Sequence, residues 1–124
     1  MKGTLLELES VISKKESLLV SKLGVTERCS YVSGDMFSTS NQLPSADAYI
    51  MKMLLNDWSD WSDEECVHIL SNLYRSSPGH ARLFIAEHII QGPDIPHFSK
   101  LFDIHMMCAA YEKERTVDEY SSLI

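Results

Sequence analysis

Short apolar runs divide the chain into candidate strands. Thr4–Leu8 and Cys29–Ser33 are brief runs with strand character, whereas Ala48–Leu55 and Arg82–Ile90 are almost continuously apolar. Near-continuous apolar runs are typical of strands that are covered on both faces, as in a parallel sheet. The pattern therefore predicts four strands, of which the last two are buried.

Apolar residues at helical spacing occupy the stretches between and after these strands. We predict a first helix with Ser10 as its N-cap and Gly24 at its end, because glycine readily adopts the left-handed backbone that closes a helix. A second helix follows Ser62, whose side chain begins a capping box. Further helices are predicted over Phe98–Ala110 and Val117–Leu123. Strands and helices alternate, so the expected fold is α/β with a mostly parallel sheet.

Composition and charge exclude several classes of function. The chain has 124 residues, of which 44% are apolar and 23% charged, and this composition suits one globular domain. Its formal net charge of −7 disfavours a nucleic acid or an anionic membrane as partner, because such binding needs clustered Lys and Arg. No apolar run approaches the roughly 20 residues that span a bilayer, and the N-terminus has no apolar signal core. We therefore expect a cytoplasmic domain over residues 1–124.

The cysteines and histidines do not predict a metal site. Cys29, Cys66 and Cys108 are widely spaced and form no CxxC pair, and the histidines show no ligand spacing with them. The histidines are His68, His80, His88, His97 and His105. We expect reduced, mostly buried thiols and no bound metal.

Polar residues cluster at the predicted carboxyl ends of the strands. They are Glu7, Glu9, Asp35, Asn56, Asp57 and Glu87. Ligands bind at this edge of an open parallel sheet. A solvated rim explains each residue singly, whereas together they indicate a ligand with hydroxyl and amine donors. A phosphate ligand would need a glycine-rich loop at a helix N-terminus, which the sequence does not contain.

Lys52 is a charged residue inside an apolar run. Its burial would be costly unless the ammonium group reached water or a carboxylate. Two interpretations remain open: a strand-edge lysine that extends to water, or a cation placed near a ligand.

Several ordered segments resemble those of a known family. They are Gly3–Leu8, Gly34–Phe37, Tyr49–Lys52 running into Asn56–Asp60, Pro78–Gly79, Phe84–Glu87 and Glu114–Thr116. In this order they resemble the catalytic domain of the O-methyltransferases that include hydroxyindole, caffeic acid, isoflavone and bacterial antibiotic-tailoring enzymes. The resemblance covers essentially the whole chain. It implies a Rossmann-like methyltransferase domain, which in the family follows a helical domain that forms homodimers.

The resemblance also implies a cofactor site for S-adenosylmethionine. Glu7 lies where the family binds the ribose, usually with an aspartate. Asp35 and Met36 lie where the family contacts the adenine, and Lys52 matches a further contact in the cofactor pocket.

Catalytic and acceptor positions follow from the same resemblance. Asn56 lies where the family has the histidine that takes the proton of the acceptor hydroxyl, and the matching Asp57 follows it. Glu87 and Glu114 match the two glutamates that orient that histidine. The helix that lines the acceptor pocket carries Asp103, Met106 and Met107. The implied reaction is methyl transfer to a hydroxyl of a small aromatic acceptor.

The base position departs from the family pattern. An amide cannot accept a proton at neutral pH, and losing a general base costs roughly 10² to 10⁴-fold in rate. Asn56 therefore cannot replace the histidine. Asp57–Asp60 is followed by the near-repeat Trp61–Asp63, which allows a second register with Ser59 at the base position. Neither register supplies a histidine.

Parts of the family fold have no counterpart in this sequence. The glycine-rich cofactor loop, the first strand and the dimerisation domain would precede Gly3, and the terminal strand pair would follow Ile124. That first strand would lie between Thr4–Leu8 and Ala48–Leu55, so we expect a partial domain with two sheet fragments and impaired turnover. The alternatives are a non-enzymatic interaction module or a decayed fragment that pairs with a full-length relative.

Overall fold

The computed structural model describes residues 1–13, 22–38, 43–56, 63–109 and 112–124. In chain order the elements are β1 Gly3–Glu7, α1 Glu9–Ile12, a 3₁₀ turn Thr26–Arg28, β2 Cys29–Ser33, β3 Ala48–Lys52, α2 Asp63–Ser76, β4 Arg82–Ala86, α3 Phe98–Ala109 and α4 Val117–Leu123. The α/β class is confirmed. None of the helices within these ranges is both long and apolar enough to cross a membrane.

The strands form two separate parallel pairs. β1 pairs with β2 so that Glu7 lies opposite Ser33, and β3 pairs with β4 so that Lys52 lies opposite Ala86. Within the described residues no strand joins the two pairs. The predicted parallel arrangement in two fragments is therefore confirmed. In each pair the carboxyl ends of both strands meet at one edge.

The third and fourth strands are shorter than predicted. β3 ends at Lys52 because Met53 has a φ of 50°, in the left-handed region that a residue with a Cβ rarely adopts. The backbone N–H of Met53 donates to the carbonyl of Ala86, the last residue of β4, at 3.1 Å. The prediction that these strands extend to Leu55 and Ile90 is wrong.

The prediction that β3 and β4 are covered on both faces is also wrong. Met51 is buried, whereas Ile50 is 77% exposed and Phe84 on the neighbouring strand is 53% exposed. Ile50 and Phe84 lie opposite each other in the pairing register. One face of this pair therefore packs on the core, and the other carries exposed apolar side chains.

The first helix begins earlier than predicted. Leu8 occupies the N-cap position, so Ser10 lies inside α1, where its carbonyl accepts a hydrogen bond from the hydroxyl of Ser13. Gly24 has a φ of 66°, which confirms the left-handed conformation expected of it. Residues 14–21 of the predicted helix between these points, and Ser62 before α2, lie outside the described ranges.

The core lies where α2, β3 and α4 meet. Its buried side chains are Leu43, Met51, Leu55, Cys66, Ile69, Leu73, Tyr120 and Leu123. Cys66, Ile69 and Leu73 repeat at intervals of three and four residues, which places them on one face of α2. Of the three cysteines only Cys66 is buried, so the expectation of mostly buried thiols is wrong.

Candidate functional site

A cavity of about 220 Å³ lies at the carboxyl ends of β1 and β2. Its lining residues come from the end of each strand and the segment that follows: Leu6, Glu7, Leu8, Gly34, Asp35, Met36 and Phe37. Three of the four residues that the sequence assigns to the cofactor, Glu7, Asp35 and Met36, therefore lie together. Lys52 does not line this cavity and is exposed at the end of β3.

Local contacts hold the loop after β2 close to β1. The backbone N–H of Gly34 donates to the carbonyl of Glu7 at 3.0 Å. A Cβ at Gly34 would lie 2.9 Å from Cδ1 of Leu6, so glycine permits this close approach. The carboxylate of Asp35 accepts the backbone N–H of Phe37 at 2.9 Å, which shapes the turn at the cavity wall.

The cavity suits part of a nucleoside-bearing cofactor. Its wall combines apolar side chains with the carboxylates of Glu7 and Asp35. A nucleoside offers a flat base together with hydroxyl and amino donors, which carboxylates accept. Among the described residues no lysine or arginine lines it, and those that do line it do not favour a phosphate. Its volume is below the roughly 300–1,000 Å³ of a complete small-molecule site, which fits the adenosine portion alone.

A second group of polar residues lies beyond the ends of β3 and β4. The carboxylate of Glu87 accepts the backbone N–H groups of Leu54 and Leu55 at 2.8 and 3.0 Å. These bonds fix the turn that begins at Met53. Asn56 follows this turn and is only 3% exposed. Glu87 thus holds the backbone that presents Asn56.

Glu114 is the centre of this second group. Its carboxylate accepts the side-chain N–H of Asn56 at 3.1 Å, and the residue is 1% exposed. Its backbone N–H donates to the carboxylate of Asp103 on α3 at 3.0 Å. Glu114 therefore joins the segment after β3 to α3. Because the Asn56 amide acts here as a donor, it offers no proton acceptor towards Glu114.

The other acceptor-helix residues occupy different environments. Met106 is half-buried and Met107 is exposed. The carbonyl of Met106 accepts the backbone N–H of Glu112 at 3.4 Å, at the end of the cluster. Asp57 and Ser59 lie outside the described residues. Of the predicted site residues, Glu7, Asp35 and Met36 thus lie together beyond β1 and β2, and a second set lies together beyond β3 and β4: Asn56, Glu87, Asp103 and Glu114.

Arg115 stabilises the turn at Leu55 through hydrogen bonds. One guanidinium nitrogen donates to the carbonyl of Leu55 at 2.7 Å, and two others donate to Asp63 at 3.1 and 2.9 Å. Burial lowers the pKa of Arg115, but the hydrogen bond with Asp63 and the charge interactions with Cys66, Asp63 and Tyr120 together outweigh this effect, and the net pKa is raised. The cation therefore stays charged inside the core. The sequence indicated Arg115 only as part of the family-like segment Glu114–Thr116, and not its role in holding this turn.

His88 is a site residue that sequence reasoning missed. Its Nδ1 atom lies 3.9 Å from Oε1 of Glu114. The available signal was its position directly after Glu87 beyond β4. In the sequence His88 stands out only as a potential metal ligand, because Glu114, the residue that it faces, is 26 positions away in the chain.

Several buried polar atoms around Glu114 have no hydrogen-bond partner among the described residues. They are Oδ1 of Asn56, Oε2 of Glu87, Nδ1 of His88, Oε2 of Glu114 and the hydroxyl of Tyr120. Burial raises the pKa of the Tyr120 phenol, so that group stays protonated. Buried polar groups are nearly always paired, and unpaired ones often mark a ligand or functional site.

Replacing Glu114 with glutamine is expected to flatten the pH dependence of stability. Burial raises the pKa of Glu114 above its ordinary value of 4.5, although the Asn56 hydrogen bond opposes this effect. Between those two pKa values the folded state binds more protons than the unfolded state, so the free energy of unfolding falls as pH rises. Glutamine keeps an acceptor for Asn56 but cannot ionise. Urea unfolding at a series of pH values above 4.5 measures the difference.

Glu27→Gln is the matched control, because Glu27 is exposed in the 3₁₀ turn. It should retain the pH slope of the unmodified chain through the same window. Equal slopes for the unmodified chain and Glu114→Gln would contradict the assignment of that slope to Glu114.

Comparison with known proteins places this geometry in a family. The O-methyltransferase domain family matches residues 1–124. The phenazine O-methyltransferase PhzM of Lysobacter antibioticus is 36% identical over 105 residues, which cover 84% of this chain and 29% of that protein.

Solved structures agree with the sequence comparison. The crystal structure of LaPhzM matches with a TM-score of 0.83 and 33% identity, and covers 98% of this chain and 35% of its own. CalO1, a methyltransferase in calicheamicin biosynthesis in its SAH-bound form, matches with a TM-score of 0.79 and 29% identity, over 98% of this chain and 34% of its own. This chain thus spans about a third of the length of these relatives. With its parallel strand pairs and paired polar clusters, the chain belongs to the O-methyltransferase domain family.

Proposed function

We propose that this chain supplies the adenosine-binding and proton-handling parts of an S-adenosylmethionine-dependent O-methyltransferase. The observation that carries the proposal is the cavity at the ends of β1 and β2, with two carboxylates in an otherwise apolar wall. The family uses S-adenosylmethionine, and CalO1 is a relative in a SAH-bound form. The proposal takes residues 1–124 as one catalytic-domain segment.

Within this proposal the cavity residues hold the nucleoside. Glu7 accepts the ribose hydroxyls, while Asp35 and Met36 contact the adenine. When bound, the cofactor supplies an electrophilic sulfonium methyl group. Lys52 is exposed at the end of β3, and in this proposal it makes a further contact with the cofactor. The protein contributes orientation of the reactants and removal of a proton.

The acceptor in this proposal is a small aromatic molecule with a hydroxyl group. Phe98 and Phe102 on α3 lie with ring centroids 5.6 Å apart, and the His88 ring lies 4.5 Å from that of Phe102. Such a surface favours an aromatic ring by stacking and edge contacts. Met106 and Met107 continue the same helix with soft, adaptable side chains.

The test of the proposed function is a titration of the full 124-residue chain with S-adenosylhomocysteine, followed by backbone amide NMR shifts. We expect shifts at Glu7, Asp35 and Met36, with a Kd of about 0.2–1 mM, or about 4–5 kcal/mol, because only the adenosine portion is held. Glu7→Gln is expected to weaken binding about 10-fold, since it replaces the charged acceptor of the ribose hydroxyls with a neutral one, and hydrogen bonds to charged groups are the stronger ones.

Glu9→Gln is the matched control, because Glu9 is exposed on α1 and does not line the cavity. It should bind like the unmodified chain. A spectrum that S-adenosylhomocysteine leaves unchanged would overturn the proposal and favour the interaction module or the decayed fragment. Low-micromolar affinity would contradict the expectation that only part of the cofactor is held.

A further inference from the structure

We propose that His88 takes the proton of the acceptor hydroxyl, the role that the family resemblance gives to a histidine at the position of Asn56. This inference rests on the proposed function. His88 would then be the general base in place of Asn56, whose amide cannot accept a proton. Neither the sequence pattern nor the family resemblance assigns this role to His88.

The position of His88 is the first argument. Its ring packs against Phe102 and Phe98 on α3, with centroids 4.5 and 6.1 Å away. α3 also carries Asp103, which binds the backbone of Glu114. His88 therefore lies between the proposed aromatic acceptor surface and the buried carboxylate of Glu114.

The orientation of the ring is the second argument. Nδ1 is buried, has no hydrogen-bond partner in the part of the chain that the structure describes, and lies 3.9 Å from Oε1 of Glu114, while the side chain as a whole is 39% exposed. One ring nitrogen thus faces the carboxylate, and the exposed part of the ring lies elsewhere. A general base needs this arrangement, because a carboxylate beside one nitrogen orients the ring and stabilises the imidazolium that forms. Catalytic hydrogen bonds are often long without ligands and shorten on binding.

The neighbouring groups are poorer proton acceptors. The Asn56 amide cannot take up a proton. Glu87 uses one oxygen to hold the backbone at Leu54 and Leu55. Glu114 is enclosed and bound to Asn56. Among these side chains only the His88 imidazole combines an exposed surface with a basic nitrogen.

A second histidine–carboxylate pair lies at the edge of β3 and β4 that is opposite to the candidate site. Nε2 of His80 is 2.8 Å from Asp47, and both side chains are largely exposed. Asp47 precedes β3 and His80 precedes β4, so this pair lies at the amino ends of the strands. Ligands bind at the carboxyl ends. His80 therefore serves as a matched control for His88.

The proposed proton transfer is balanced. S-adenosylmethionine, when bound, would supply the methyl group and keep the electron pair of the carbon–sulfur bond on sulfur, and Nε2 of His88 would take the proton that the acceptor hydroxyl loses as its oxygen bonds to the methyl carbon. The resulting imidazolium faces Glu114, with Glu87 and Asp103 as the further carboxylates of the cluster.

The first experiment determines the His88 tautomer by long-range ¹H–¹⁵N NMR of the full chain. We expect a neutral ring with the proton on Nδ1, facing Glu114, and a bare Nε2. In Glu114→Gln this preference should be lost. If the unmodified chain carries the proton on Nε2, that nitrogen cannot act as the base, and the inference is wrong.

The second experiment uses 4-nitrophenol, an acceptor analogue whose ionised form absorbs visible light. At a pH where free 4-nitrophenol is protonated, the unmodified chain and His80→Gln should raise the phenolate absorbance, and His88→Gln should not. No rise with the unmodified chain, or an equal rise with His88→Gln, would overturn the role of His88. If His88→Gln does not fold, the His88 tautomer measured in the first experiment tests the role of His88 instead.

The two proposals fail separately in these tests. If S-adenosylhomocysteine does not shift Glu7, Asp35 and Met36, the proposed function fails, and the catalytic role of His88 fails with it. If these residues shift but His88 has the wrong tautomer or does not ionise the phenol, only the role of His88 fails.

Discussion

Replacing Arg115 with methionine is expected to lower the free energy of unfolding by about 3 kcal/mol, because a hydrogen bond to a charged group contributes about 1.5–3 kcal/mol and the buried carbonyl of Leu55 keeps only the weak thiol donor of Cys66. Arg115 is 2% exposed and donates to the carbonyl of Leu55 and to Asp63. Methionine keeps much of the side-chain volume, so the change reports mainly the polar contacts. Urea unfolding followed by circular dichroism measures the loss.

Arg82→Met is the matched control, because Arg82 is exposed at the start of β4. Surface substitutions of this kind usually change the free energy of unfolding by less than about 0.5 kcal/mol. If Arg115→Met were as stable as Arg82→Met, the guanidinium contacts would not support the Leu55 turn. The tautomer of His88 should also change in Arg115→Met if that turn moves Asn56 and Glu114.

Replacing Ile69 with alanine is expected to lower the free energy of unfolding by about 3 kcal/mol, since buried Ile-to-Ala changes usually cost 2–5 kcal/mol. Ile69 is fully buried on α2 within the core cluster. The substitution removes apolar contacts and leaves a cavity beside the other core side chains. The same urea titration measures the effect.

Ile104→Ala provides the comparison for Ile69→Ala. Ile104 is also helical, on α3, but is 57% exposed. Its replacement should change stability by less than about 0.5 kcal/mol. Comparable losses at both positions would mean that the exposed stripe of α3 is covered in solution, and would contradict the core described above.

Local pattern was sufficient to predict most elements. β2 has the bounds predicted from its apolar run, and α4 matches Val117–Leu123. Gly24 takes the predicted left-handed conformation. These features depend on residues that are adjacent in the chain, so periodicity and backbone preferences predict them without knowledge of the fold.

The ends of the longer strands were not predictable in this way. The run Ala48–Leu55 is apolar throughout, yet β3 stops at Lys52. The backbone N–H groups of Leu54 and Leu55 are taken by Glu87, which is more than 30 positions away in the chain. Apolarity does not distinguish a strand from a turn whose hydrogen bonds come from a distant carboxylate.

In the candidate site, too, the sequence predicted the residues, whereas the contacts between them depend on residues that are distant in the chain. The sequence identified Glu7, Asp35 and Met36, and the parallel register of β1 and β2 brings them to one cavity. It named Asn56 and Glu114, whose mutual hydrogen bond spans 58 positions. Their roles in binding and proton transfer stay predictions until the titrations above are done.

The sequence by itself determined the α/β class, the parallel pairing and the polar strand ends, because apolar periodicity and turn chemistry act over a few neighbouring residues. The tertiary structure alone decided which polar groups meet. Packing around Glu114 brings Asn56 and His88 to its carboxylate and Asp103 to its backbone N–H, from three separate segments. Such contacts depend on how the elements pack, and packing is set by long-range contacts that the order of residues does not display.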